Sequence, residues 1–459
     1  MSHVTASIKK IVPFAWPISF SAMLRIFPNM AAMYILSFLG KEQLAAAAIA
    51  GMTYFTLMTF FLTGFNAVGI KVAFSVGEKK QHKEVTAWVH SGLALALALC
   101  IPIMILSFNL DRILLFFGQS EHLVAISKPF FYFGGGALCL LLLGTVFNQY
   151  IMAIGYPKVS LRLSYVATPL MIIVSYVLIL GVGGLPAFAL GGVNLSAMLV
   201  NGFIFIVGLL IVIRASWSKP YAIVSWQWCG SMSHIVDLIK LGLPISLQVS
   251  GELLAATVLT YMLGHFGESA LAASQIVQQY GLLFIMLSVG FSQAVSMLIS
   301  RLFGEKDYQA IASFAQGGLW IIAILACVFA TIFILFPGYL IDLFLKSNMP
   351  SHGQVHYYGE YFLIIAGGFA LLDGLRKVLA ATLRGLGDSK TPMFAGVAAL
   401  WGVGLPVAYV SGFVFPGGAI AMRAAYLLGM LALVAFLGIC TYRQIKSLPD
   451  TLLLNEPLE

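Results

Sequence analysis

Charge is what this sequence has least of. Lys, Arg, Asp and Glu make up 9% of its 459 residues, and hydrophobic residues make up 60%. An ordinary soluble protein carries about 25% charged residues. A water-facing surface cannot be built from so few, so the solvent expected for this chain is lipid. Cysteine is scarce too. Cys100, Cys139, Cys229, Cys327 and Cys440 stand singly, with no CxxC and no paired spacing. Neither a metal cluster nor a disulfide framework is expected from them, and they read as small apolar packing residues. HExxH, GxSxG, the phosphate-binding glycine loop and the dinucleotide fingerprint are all missing. The histidines are isolated and mostly near loops, as at His82, His122, His352 and His356. An intramembrane enzyme, direct use of ATP and a bound cofactor are therefore not expected.

What is present is a series of apolar runs, each about 20 residues or longer, the length that spans a bilayer as helix. Twelve are placed: 11–38, 44–76, 87–110, 123–153, 161–182, 187–213, 236–265, 270–301, 310–345, 354–383, 391–413 and 417–442. Lys9 and Lys10 precede the first run and no small-residue cleavage site follows it, so it reads as a retained membrane helix. If the N-terminus is cytoplasmic, the tails and even-numbered loops hold sixteen Lys and Arg, among them Lys79, Lys80, Lys158, Arg214, Arg301, Lys306, Lys390 and Arg443. The opposite loops hold only Lys41, Arg112 and Lys346. That bias puts both termini in the cytoplasm of a multi-pass protein of the cell (inner) membrane. It also accounts for the net charge of +8, which reflects contact with anionic lipid heads and not a nucleic-acid partner.

The chain is written twice. WPIS at 16–19 returns as LPIS at 243–246, LAA at 44–46 returns at 271–273, and GEK at 77–79 returns at 304–306, all at an offset of 227. Six spans per copy is an even number, so the second copy enters the membrane as the first does. The expected fold is all-α and integral to the membrane, with twelve transmembrane helices in two parallel-repeat six-helix lobes. The expected boundaries are 1–220 for the first lobe, 221–235 for a cytoplasmic linker, and 236–459 for the second lobe. Transporters built this way hold substrate and ions near the midplane and expose them to each side in turn.

An ionisable side chain at membrane depth is costly, and so marks a functional site by default. Glu252 lies mid-span in PISLQVSGELLAATVLTYM, and Asp373 lies mid-span in the tenth run. Two carboxylates beside a hydrated cavity suit a cation, including sodium, or a shared proton. Arg376 stands three residues after Asp373, where opposite charges meet on a helix face, so the pair also has a purely structural reading. Lys377 reads as a structural partner or a snorkelling side chain, and Lys71 as a snorkelling one. Arg25 is the repeat counterpart of Glu252; it pairs with an acid or meets an anionic group. Tyr34, Tyr261 and Gln275 complete the cavity candidates, the aromatics through cation–π contact.

These features resemble the multidrug and toxic compound extrusion (MATE) transporters over nearly the whole chain. The most specific piece is LRGLGDSKTPM at 383–393, which is similar to that family's loop between helices 10 and 11. LGLPISLQVSGE, FGESALAASQI and FLGKEQLAAAAIAGM add to it. The resemblance implies export of organic cations or drugs in exchange for sodium ions or protons, by a monomer. In the sodium-linked, NorM-like branch an acid stands eight residues after the helix 7 proline and another ten residues before the Leu-Arg-Gly. Glu252 follows Pro244 by eight, and Asp373 precedes Leu383 by ten. Departures are equally plain. The helix 1 aspartate of many members is Ala32 here, the helix 5 asparagine pair is Met171 and Ser175, and a usually neutral helix 1 position is Arg25. Three basic residues at depth (Arg25, Arg376, Lys377) keep open an anionic or zwitterionic metabolite, or a lipid-linked oligosaccharide, as the cargo.

Overall fold

A computed structural model describes residues 2–79, 82–116, 118–221, 223, 229–343, 352–415 and 417–448. Lys80, Lys346 and residues 222 and 224–228 of the expected linker lie outside the described residues. Among the described residues there is no strand. The first half of the chain forms α1 (Ser2–Leu24), α2 (Ile26–Ser37), α3 (Lys41–Gly64), α4 (Asn66–Gly77), α5 (His82–Phe116), α6 (Glu121–Ala153), α7 (Pro157–Leu180) and α8 (Leu190–Arg214). The second forms α9 (Met232–Gly264), α10 (Glu268–Glu305), α11 (Tyr308–Leu335), α12 (Pro337–Asp342), α13 (His352–Gly385), α14 (Lys390–Ala399), α15 (Leu405–Tyr409) and α16 (Gly418–Lys446).

Two spans of the first half are broken. Pro28 has no N–H to give the Leu24 carbonyl one turn back, and the chain turns at Arg25 between α1 and α2. The Thr168 hydroxyl of α7 donates to that freed carbonyl at 3.4 Å. The second break is at Phe65, between α3 and α4. Counting α1 with α2, α3 with α4, and α14 with α15, eleven helical stretches among the described residues are long and apolar enough to cross a membrane. The twelfth expected span is α13, whose 34 residues carry Glu360, Asp373, Arg376, Lys377 and Arg384. The protein is thus an all-α, multi-pass membrane protein of twelve spans.

The duplication is visible in the backbone. Gly40 and Gly267, at the repeat offset, each precede a helix with φ of 105°, a value that favours glycine. Lys79 and Lys306, also at the repeat offset, both adopt positive φ, 51° and 60°. A lysine in this region is uncommon, so two at one repeat position mark a shared helix-ending turn.

The chain divides into two compact units: Met1–Ser19 with Leu247–Glu459, and Phe20–Ser246. The divisions fall inside α1 and α9, not at the linker. In the first unit, the start of α1 lies on α10 so closely that a Cβ on Gly290 would sit 2.4 Å from Ser19 Cα, and Ser7 Oγ donates to Ser313 Oγ of α11 at 3.0 Å. In the second unit, the start of α9 lies on the end of α3, where a Cβ on Gly242 would sit 2.5 Å from the Gly64 carbonyl oxygen. Each half thus lends the beginning of its first helix to the other's unit. The stretch after α8 belongs to the second unit. Trp217 stacks on Tyr156 with ring centroids 4.8 Å apart. His90 Nδ1 accepts from the Cys229 N–H at 3.2 Å, so its Nε2–H donates to the Ile223 carbonyl at 2.7 Å.

α13 packs against α10, α11 and α16 in the first unit, and α6 against α3, α4, α5 and α8 in the second. Each is the central helix of its unit. A central helix meets little lipid, which is why α13 can carry charges at depth.

Candidate functional site

Asp373, Arg376, Lys377 and Arg384 lie at i, i+3, i+4 and i+11 of α13, a spacing that puts all four on one helix face. Gln248 and Glu252 stand at i and i+4 of α9. The first unit brings these two faces together. Arg376 holds both acids: Nη1 is 2.7 Å from Glu252 Oε1, and Nη2 is 2.6 Å from Asp373 Oδ1. Lys377 Nζ takes the other Asp373 oxygen at 2.6 Å. Gln248 Nε2 donates to Glu252 Oε1 at 2.9 Å, and Arg384 Nη2 donates to Gln248 Oε1 at 2.6 Å. The result is one continuous chain: Lys377, Asp373, Arg376, Glu252, Gln248, Arg384.

Burial varies along it. The Asp373 side chain is 2% exposed, and those of Glu252 and Lys377 are 13% and 14% exposed. Asp373 is therefore sealed within the cluster, while Glu252 and Lys377 are its partly reachable members. Gly396 of α14 lies beside Glu252, where a Cβ would sit 3.3 Å from Glu252 Oε1. The next part of this span is wound as π-helix over Leu400–Gly404 and Val410–Val414. Wide turns of this kind recur at functional positions. The first holds Trp401, whose Nε1 donates to the Gly251 carbonyl next to Glu252 at 3.1 Å.

Of the residues singled out from sequence, Glu252, Asp373 and Arg376 come together. Of its two readings Lys377 takes the structural one, with its Nζ bound to Asp373. Lys71 lies over the Trp88 ring, 5.1 Å from its centroid. Arg25, at the α1–α2 break, is exposed, as are Tyr34, Tyr261 and Gln275, and none of the four joins the cluster. Gln248 and Arg384 were missed. Their signal was present: Gln248 is one turn before Glu252, and Arg384 is three turns after Asp373 on the same face. Arg423 of α16 is a further cation at depth, with Nη1 donating to Ser274 Oγ at 3.1 Å and its guanidinium 4.6 Å from the Phe362 ring centroid.

A sodium ion prefers several oxygen ligands, as hard cations do. Both Asp373 oxygens and Glu252 Oε1 already receive N–H donors, and Glu252 Oε2 has no protein partner among the described residues. No group of three or more His, Cys, Asp or Glu that could hold a metal occurs among the described residues. A sodium ion bound between the two acids would first have to displace Arg376 or Lys377.

A duplicated six-helix unit with broken spans and a buried ionic chain defines a membrane transporter, not an enzyme. The MatE family model matches residues 17–177 and 244–410, once in each half and from equivalent prolines. The chain belongs to the MatE family. It is 27% identical over 402 residues to the probable multidrug resistance protein NorM of Agrobacterium fabrum, with 87% of this chain and 85% of that protein covered. It is 28% identical over 413 residues to the protein of the same description from Pseudomonas aeruginosa, with 90% and 84% covered. Among solved structures, the Vibrio cholerae MATE transporter VcmN in the bent form superposes with a TM-score of 0.85 at 16% identity, over 98% of this chain and 100% of that one. The eukaryotic MATE transporter AtDTX14 superposes with a TM-score of 0.82 at 16% identity, over 98% and 99%. At such identities these structures speak for the fold alone.

Proposed function

We propose that this protein is a secondary active exporter of small organic molecules, with cationic drugs among its cargo. Inward flow of a proton, or of a sodium ion, would drive it. It would lie in the cell (inner) membrane with both termini cytoplasmic and expose its binding site to each side in turn. The observation that carries this reading is the buried link between Glu252 and Asp373 through Arg376, on the two helices where the MATE resemblance puts acids. The names of the NorM relatives supply the drug-export part. Glu252 is the more accessible of the two acids, so it is the carboxylate that a proton or a cationic substrate would meet first. Either would weaken its hold on Arg376, which makes the two competitors for one carboxylate. That is the linkage an antiporter needs.

The test is efflux of a fluorescent organic cation from cells making the protein, with a proton or a sodium gradient imposed in turn. Efflux is expected to follow the proton gradient and to fall to background in Glu252→Gln. Efflux that ignores both gradients, or that is unchanged in Glu252→Gln, overturns the reading. Dependence on sodium alone would overturn only the choice of ion.

A further inference from the structure

The charged cluster is not balanced. Glu252 and Asp373 supply two negative charges, and Arg376, Lys377 and Arg384 supply three positive ones. A surplus charge out of water is expensive unless it finds a partner. The atoms of the cluster that are both buried and unpartnered are of one kind too. Arg376 Nε and Arg384 Nε are buried and have no hydrogen-bond partner. Both are donors and neither can accept.

Arg384 has no carboxylate within 4.0 Å among the described residues. Its guanidinium is met by a neutral acceptor, Gln248 Oε1, at 2.6 Å. Gln248 is in turn tied to Glu252, so Arg376 and Arg384 converge on neighbouring, linked side chains. Gly396 of α14 packs closely on Glu252 and Gln248, where a Cβ would lie 3.3 Å from Glu252 Oε1 and 3.4 Å from Gln248 Cγ. Surplus positive charge and buried unpartnered donors coincide beside Glu252 and Gln248.

We infer that this place binds one monoanionic group, held by Arg384 and Arg376 in place of the Gln248 amide oxygen. An ionised acceptor makes shorter and roughly twice stronger bonds to a guanidinium than a neutral one, and it cancels the surplus charge. The group is either a carboxylate carried on the substrate or a free halide ion. In the first case the cargo is zwitterionic, its cationic end facing Glu252 and its carboxylate facing Arg384. That version rests on the export reading above, whereas the anion site itself does not.

The test uses purified full-length protein and needs no gradient, so its result is separable from that of the efflux assay. Zwitterionic rhodamine B and its cationic ethyl ester differ only at the carboxylate. Binding of each is measured by fluorescence polarisation in sodium chloride and in sodium gluconate at equal ionic strength, for wild type, Arg384→Gln and Arg384→Lys. If a substrate carboxylate is the ligand, Arg384→Gln should weaken the acid relative to the ester by about tenfold or more, Arg384→Lys should restore most of that ratio, and chloride should compete with the acid. If a free halide is the ligand, chloride should raise the thermal midpoint of wild type but not of Arg384→Gln, with the acid-to-ester ratio unchanged. If wild type does not separate acid from ester and is equally stable in chloride and gluconate, the inference is overturned. That comparison needs no variant to fold.

Discussion

At the scale of the residue, the decisive fact is that Asp373 is doubly held. At 2% exposure it accepts from both Arg376 and Lys377 at 2.6 Å. Removing one member of a buried ionic group leaves the others desolvated and unpaired, at a cost of about 3–5 kcal/mol. Asp373→Asn should therefore lower thermal stability in detergent by an amount of that order. Removing one cation with the acid should recover part of it, so Asp373→Asn with Lys377→Met should be more stable than Asp373→Asn alone. A double variant less stable than the single one would show that Lys377 is held by something other than Asp373. Glu252 differs, because it is partly reachable and its second oxygen is uncommitted. Glu252→Gln should thus lose coupling while keeping a folded protein, and this separates the two acids that sequence reading treated as a matched pair.

At the scale of the element, the exchange of helix beginnings between the units is set by absent side chains. Gly290 admits the backbone of α1, and no flexible side chain lies there to move aside. Gly290→Ala should cost about 1–3 kcal/mol through overpacking. Gly144, in α6, has nothing within 4 Å of a built Cβ, so Gly144→Ala should stay within about 0.5 kcal/mol of wild type. Thermal unfolding of both variants in one detergent checks the contrast, and equal midpoints would mean that the α1–α10 approach is not tight in solution. The π-wound turns after Ala399 belong to this scale too. They carry Trp401 to the Gly251 carbonyl, and no spacing rule would have placed it there. In π-helix the hydrogen bonds reach one residue further than in α-helix, so the face a side chain occupies shifts.

At the scale of the whole molecule, the parallel repeat and the basic loops make one statement about orientation. The turns at Lys79 and Lys306 are equivalent by the repeat and should lie on the cytoplasmic side, with Lys41 opposite. With the five native cysteines replaced, Lys41→Cys should react with an impermeant maleimide on intact cells, and Lys306→Cys should react only after lysis. The reverse pattern would invert the topology and the direction of transport assigned to the gradient.

Composition and periodicity by themselves determined the solvent, the twelve spans, the duplication and the two acids. Each of these is written locally: a run of apolar residues is long enough or it is not, and a carboxylate in its middle is visible without knowing its neighbours. They also determined the repeat offset, which the backbone repeats at Gly40 and Gly267 and at Lys79 and Lys306. What they could not determine is who holds whom. The pairing of Glu252 with Arg376 joins positions 124 residues apart, and a distance along the chain says nothing of a distance in space. Arg384 reads as part of a loop motif until α13 runs on to Gly385 and turns it inward. The compact units divide within α1 and α9 because helix packing follows close backbone approach, not the position of the linker. Only tertiary packing, which brings α9 and α13 face to face, turned two lone acids into a cluster with a surplus of positive charge.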